Sequence, residues 1–136
     1  MKLHAFRLRD GEDLYKAIAS YAKSNDIKAG FIVGGVAGLK ALQLRLPETP
    51  EEQPSLHKNG KYELVSITGT VGVDGLHVHV SAANEKGLVV GGHLMKEGNI
   101  VRNTAEIGIL ETSDMIFSGE MDETTGWKEL VIKHHD

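Results

Sequence analysis

Apolar residues along this chain recur mostly at every second position, and in one stretch at spacings of three and four. The first rhythm belongs to half-buried strands and the second to an amphipathic helix. Over Lys2 to Leu8, the residues Leu3, Ala5 and Arg7 alternate against His4, Phe6 and Leu8, which predicts a strand. Asp10-Gly11 then offers a turn and an N-cap region. Glu12 and Asp13 are expected in the first helical turn, where the dipole favours acidic groups. Leu14, Ala17, Ile18, Tyr21 and Ala22 follow at helical spacing, with an end near Asn25-Asp26. Gly30 to Val36 is a β-branched run closed by glycines, and Leu42, Leu44 and Leu46 alternate with Gln43 and Arg45, giving two strand candidates. Pro47 to Asn59 holds all three prolines and reads as a loop, the most mobile stretch expected.

Tyr62 to Val73 and Leu76 to Ala82 flank Asp74-Gly75. That dipeptide between alternating runs predicts a hairpin with a type I′ turn, positive in φ at both central residues. Glu85-Lys86-Gly87 turns the chain again into the short run Leu88 to Val90, followed by Gly91-Gly92-His93. Ile100 to Leu110, Met115 to Glu120 and Lys128 to Lys133 are further strand candidates. The sum is one helix and about eight strands joined mostly by tight turns. It predicts an α+β fold in one domain over residues 1–136, with a mostly antiparallel sheet and the helix packed on one face.

Composition narrows the function. The chain is 40% apolar but only 5% aromatic, so its core is mainly Val, Leu, Ile and Ala. It has no cysteine, which excludes disulfides, thiolate metal sites and cysteine nucleophiles and fits a reducing cytoplasm. The opening residues show no apolar signal-peptide region, and runs such as Ala29 to Leu39 are too short and glycine-rich to span a bilayer. A cytoplasmic location is therefore expected. The formal charge of −4 lacks the basic excess of a domain that binds duplex DNA by itself.

The chemistry concentrates on histidines. His77 and His79 lie two apart in Leu76-His77-Val78-His79-Val80, so both imidazoles share one face while Val78 and Val80 face the core. If Leu88 to Val90 pairs with that strand, the glycine pair brings His93 beside them. Three imidazoles without a fourth protein ligand make an open zinc site, with one position left for water or substrate. The same spacing also describes a solvated polar face. His134-His135 reads as an ordinary chain end.

Glu63 and Glu106 stand inside apolar strand candidates, where burial raises a carboxyl toward the general-base range. Glu63 is the candidate catalytic residue or partner of a ligating histidine. Glu106 reads as a salt-bridge former, with Arg102 a candidate partner. Gly34-Gly35-Val36-Ala37-Gly38 lacks both the dinucleotide and the P-loop fingerprints, so it reads as a tight turn or close packing.

Taken in order, Gly60-Lys61-Tyr62-Glu63-Leu64-Val65-Ser66-Ile67, then Leu76-His77-Val78-His79-Val80-Ser81, Val89-Val90-Gly91-Gly92-His93-Leu94 and Ile100-Val101-x-x-Thr104-Ala105-Glu106-Ile107 resemble the PPC (plants and prokaryotes conserved) domain. The stand-alone prokaryotic form is the better match, and the resemblance spans nearly the whole chain. It implies a central antiparallel sheet and assembly as a homotrimer. It also implies a divalent metal, zinc or another, on His77, His79 and His93, with a small-molecule ligand or a hydrolytic role. Plant members carry an AT-hook beside the domain, and this chain has no Arg-Gly-Arg-Pro element. The alternatives are a DNA-associated or transcription-related assembly module without catalysis, and a structural trimer whose histidines pack an interface.

Overall fold

The computed structural model describes residues 1–135. Its elements are β1 (Lys2–Arg9), α1 (Leu14–Ser24), β2 (Ala29–Arg45), β3 (Ser55–Gly72), β4 (Gly75–Ala83), β5 (Val89–Leu94), β6 (Ile100–Glu111), β7 (Met115–Met121) and β8 (Lys128–His134). The α+β reading holds: one helix accompanies eight strands, and the pairings are antiparallel. Six strands form a sheet in the order β1-β6-β2-β3-β4-β5, and β7 and β8 form a separate ribbon.

One edge of β2 is shared. Gly30 to Ala41 pair with β6, whereas Leu44 and Arg45 pair with Leu94 and His93 of β5. The strands β2, β3, β4 and β5 therefore close on themselves around Leu42, Leu44, Leu64, Val78, Val80 and Leu94, all buried. The helix adds Leu14, Tyr15, Ile18 and Ala22 to the same apolar cluster. Asn99 is fully buried. It ties the segment after β5 to β2 by accepting from Gln43 N–H at 2.8 Å and donating to the carbonyls of Gln43 and Met95.

Four local expectations change. The two strand candidates at Gly30–Val36 and Leu42–Leu46 are one continuous strand, because bulges near Ile32, Ala37 and Leu39 absorb the broken alternation. Pro47–Asn59 is not all loop: Ser55 to Asn59 open β3 against Ala41 to Arg45. Those residues are mostly exposed, so their sequence lacks the apolar alternation that marks a strand. The helix starts at Leu14, two residues later than its acidic pair suggested. Asp13 is the N-cap, accepting from Lys16 N–H, and the first turn holds no acid. The β3–β4 hairpin is present, but Gly72 pairs with Gly75, so Val73 and Asp74 are the turn residues. Only Gly75 has positive φ, at 126°. The turn is not type I′, since Asp74 keeps a negative φ.

The β7–β8 ribbon is anchored at Phe117, which is buried and exchanges backbone bonds with Val73 N–H and Lys28 C=O, each 2.9 Å. Asp74 adds a bond from Gly119 N–H at 2.8 Å. These contacts hold the ribbon against the β3–β4 turn and the start of β2. Among the described residues, no helix is long and apolar enough to cross a membrane.

Candidate metal centre

Alternation along β4 buries Val78 and Val80 and turns His77 and His79 outward together. His93 lies on β5 directly opposite His79, and Arg45 lies on β2 opposite His93. The ring centroids are 5.1 Å apart for His77 and His79, 5.1 Å for His77 and His93, and 5.7 Å for His79 and His93. One nitrogen from each ring lies within 4.8 Å of the other two. No other group of histidine and carboxylate side chains meets that condition among the described residues.

Two glycines permit this approach. A Cβ on Gly69 of β3 would stand 2.2 Å from the His77 carbonyl oxygen, so only glycine lets β3 lie this close to β4. A Cβ on Gly92 would stand 2.9 Å from the Arg45 carbonyl oxygen, so glycine also seats β5 against β2 just before His93.

His77 and His79 are exposed and His93 is half-buried. Burial lowers the His93 pKa to about 4, helped by the Arg45 guanidinium and by His77 and His79. Burial also lowers His77, as do His79 and Arg45, while Glu129 opposes the shift. His77 and His93 therefore favour the neutral form, which has the lone pair that a metal requires. Zinc in a tetrahedral site takes nitrogens at about 2.0–2.1 Å, which puts ligand atoms roughly 3.4 Å apart. Side-chain rotation closes the remaining gap, so three borderline nitrogen donors without a thiolate fit a divalent ion with an open position.

Arg45 and Trp127 complete the surroundings, and sequence alone did not reveal either. Arg45 Nη2 lies 3.4 Å from His93 Nδ1, and its Cζ lies 4.8 Å from the centre of the Trp127 ring. Between the sheet and the ribbon is a cavity of about 420 Å³, lined among others by Arg45, Thr70, His77, His93, Trp127 and Glu129. A second cavity of about 850 Å³ shares Arg45, His93 and Lys96 with it.

The carboxylates are elsewhere. Glu63 is exposed and pairs with Ala83, whereas His79 pairs with Thr68 five positions further along β3. At about 3.3 Å per residue that separation is roughly 16 Å, so Glu63 is neither buried nor beside the histidines. The apolar neighbours that suggested burial, Tyr62 and Leu64, point to the opposite face. Glu106 is also exposed, opposite Arg7 and Val36, and makes no ion pair with Arg102 among the described residues. Gly34 to Gly38 lie within β2, paired to β6, as close packing rather than a phosphate cradle. His134 ends β8 opposite Met115, apart from the trio. A buried histidine went unnoticed: His4 bonds Tyr21 Oη at 3.0 Å through Nδ1 and Glu111 Oε1 at 2.7 Å through Nε2. Its inward parity with Phe6 and Leu8 was the available signal.

A small antiparallel sheet domain with a nitrogen-only ligand face is the class that fold and site define. The model of the Plants and Prokaryotes Conserved (PCC) domain matches residues 1–113, and the chain belongs to this family. Among curated proteins, it is 30% identical over 133 residues to the bifunctional protein GlmU of Synechococcus sp. strain JA-3-3Ab. That match covers 98% of the chain and 21% of GlmU, so the chain spans about a fifth of the length of the curated relatives it matches. Three solved structures share the fold. A hypothetical protein from Salmonella enterica has a TM-score of 0.90 and 28% identity, over 98% of this chain and 94% of that one. A metal-containing protein from Archaeoglobus fulgidus has a TM-score of 0.84 and 24% identity, over 96% and 94%. A plant- and prokaryote-conserved protein from Pyrococcus horikoshii has a TM-score of 0.80 and 31% identity, over 96% and 94%.

Proposed function

We propose that this chain is a homotrimeric metal-binding protein that holds one divalent ion, zinc by preference, on His77, His79 and His93. The open position serves a small-molecule ligand or a hydrolytic reaction. The observation that carries this reading is the convergence of three ring nitrogens within 4.8 Å on one outward sheet face. Zinc held there would supply Lewis-acid chemistry, polarising a carbonyl or activating a water. The three imidazoles would hold it, and the ribbon carrying Trp127 and Glu129 would limit access to it.

Exposed apolar side chains support self-association. Phe31, Val33 and Val36 on β2 and Val65 on β3 are each more than half exposed. They lie on adjacent strands, and apolar surface exposed in this way marks an interaction face where it is contiguous. Light scattering should return three times the 14.8 kDa chain mass. A monomer mass refutes the assembly.

Untagged protein analysed by elemental mass spectrometry should contain close to one metal equivalent per subunit. His77→Ala and His93→Ala should each lose it. Metal-free protein that takes up no zinc or cobalt on titration refutes the metal reading.

A further inference from the structure

We propose that the cavity beside the histidines receives a small oxyanion, a carboxylate or phosphate group, anchored by Arg45. This rests on the metal reading above and adds the ligand class to it.

Arg45 is positioned by backbone pairing, opposite His93 on one side and Ser55 on the other. Its guanidinium has donors only, so at 3.4 Å the Nδ1 of His93 must be the acceptor. A neutral ring then has its proton on Nε2. A ligating imidazole gives one lone pair to the ion and has its proton on the other nitrogen. Binding through Nδ1 uses up the acceptor that Arg45 faces. Binding through Nε2 moves the proton to Nδ1 and turns donor against donor. Either way Arg45 would lose its partner if His93 held a metal, and its donors would be left facing the cavity it shares with His93.

Among the described residues, no carboxylate forms an ion pair with Arg45. The ion pairs among the described residues join His4 to Glu111, Lys16 to Glu97, Lys28 to Asp26 and Lys40 to Asp10. The guanidinium lies over the Trp127 ring, a cation–π contact that makes no use of its N–H groups as hydrogen-bond donors. Lys96 lines the same two cavities as Arg45 and His93. Three carboxylates, Glu48, Asp74 and Glu129, also line the 420 Å³ cavity, and none forms an ion pair with Arg45. Asp74 accepts from Gly119 N–H, and Glu48 and Glu129 are both exposed.

Arg45 and Lys96 bring two cationic side chains to the walls that His93 shares. A carboxylate or phosphate has one oxygen to offer a metal and others to accept from the guanidinium edge. A neutral ligand would offer the guanidinium no charge-assisted bond.

Cobalt(II) is the reporter ion, because its visible spectrum responds to a change of ligand at the open position. Wild-type, Arg45→Gln and Arg45→Lys proteins are loaded with cobalt and titrated separately with acetate and with inorganic phosphate. Circular dichroism checks that each variant is folded. The wild-type spectrum should change saturably with at least one anion, and the preferred anion separates the carboxylate source from the phosphate source. Arg45→Gln should bind cobalt yet need about tenfold or more anion for half-saturation. Arg45→Lys, which keeps the charge but loses the fork, should fall between the two. Equal half-saturation in wild type and Arg45→Gln overturns the proposal, as does a wild-type spectrum unmoved by either anion. Failure of the wild type to take up cobalt overturns the metal reading, and this proposal with it.

Discussion

Gly69→Ala tests whether the close approach of β3 to β4 builds the histidine face. The added methyl would meet the His77 carbonyl oxygen at 2.2 Å, the Val78 Cα at 2.8 Å and the Val78 Cγ2 at 3.0 Å. Ordinary contact begins near 3.4 Å. Backbone is the main obstacle, so no side-chain rotation relieves it, and the strands must part by roughly 1 Å. Val78 is buried and Gly69 is its direct partner, so that movement also disturbs the core. Overpacking of this kind costs about 1–3 kcal/mol. Loss of glycine freedom in the unfolded chain returns about 0.4–1 kcal/mol. The net of about 1–2 kcal/mol corresponds to a fall in Tm of roughly 4–8 °C for a chain of this size. A shift near 1 Å at His77 also exceeds the ~0.5 Å tolerance of a ligand constellation, so zinc affinity should fall about tenfold or more. Thermal unfolding by circular dichroism and zinc competition against a chelator measure the two effects. Gly119→Ala is the control, since its methyl would meet nothing closer than 3.7 Å. Its Tm should change little. An unchanged Tm in Gly69→Ala refutes the steric argument. A lowered Tm with unchanged zinc affinity refutes the link between strand spacing and site.

Two further outcomes follow from the charged and hydrogen-bonded groups. The folded-state pKa of His93, about 4, lies below its ordinary 6.5, so the unfolded chain binds more protons between those values. This contribution makes metal-free protein lose stability as pH falls from about 6.5 toward about 4, and His93→Gln should flatten that part of the Tm profile. A proton NMR titration that places the His93 ring midpoint near 6.5 refutes it. Glu111→Ala removes the acceptor of His4 Nε2–H and leaves a donor inside a side chain that is only 3% exposed. It should cost about 1–3 kcal/mol in denaturant unfolding, with the midpoint lowered and the slope unchanged. A loss below roughly 0.5 kcal/mol means the bond does not contribute as described.

Local periodicity was enough for several features. The helix, the β3–β4 hairpin and the shared face of His77 and His79 each depend on residues a few positions apart. Spacings of 3.6 and 2 then decide which side chains point together. The order of motifs also sufficed to indicate the PPC family. Periodicity failed where a strand is polar, as at Ser55 to Asn59, or bulged, as between Ile32 and Ala41. There, pairing with a neighbour replaces the apolar alternation as the organising force. It also misled at Glu63, whose apolar flanks face the other side of the strand.

By itself, then, the sequence determined the classes of element and the co-facial pair His77 and His79, because these follow from bond geometry along one stretch of chain. Only the tertiary structure decided which side chains join that pair. Closure of β2 onto β5 sets Arg45 against His93 and His93 against His79 across three strands, and Phe117 anchors the ribbon that brings Trp127 over Arg45. These neighbours are tens of residues apart in sequence, and their register depends on strand closure and core packing, which no local pattern encodes.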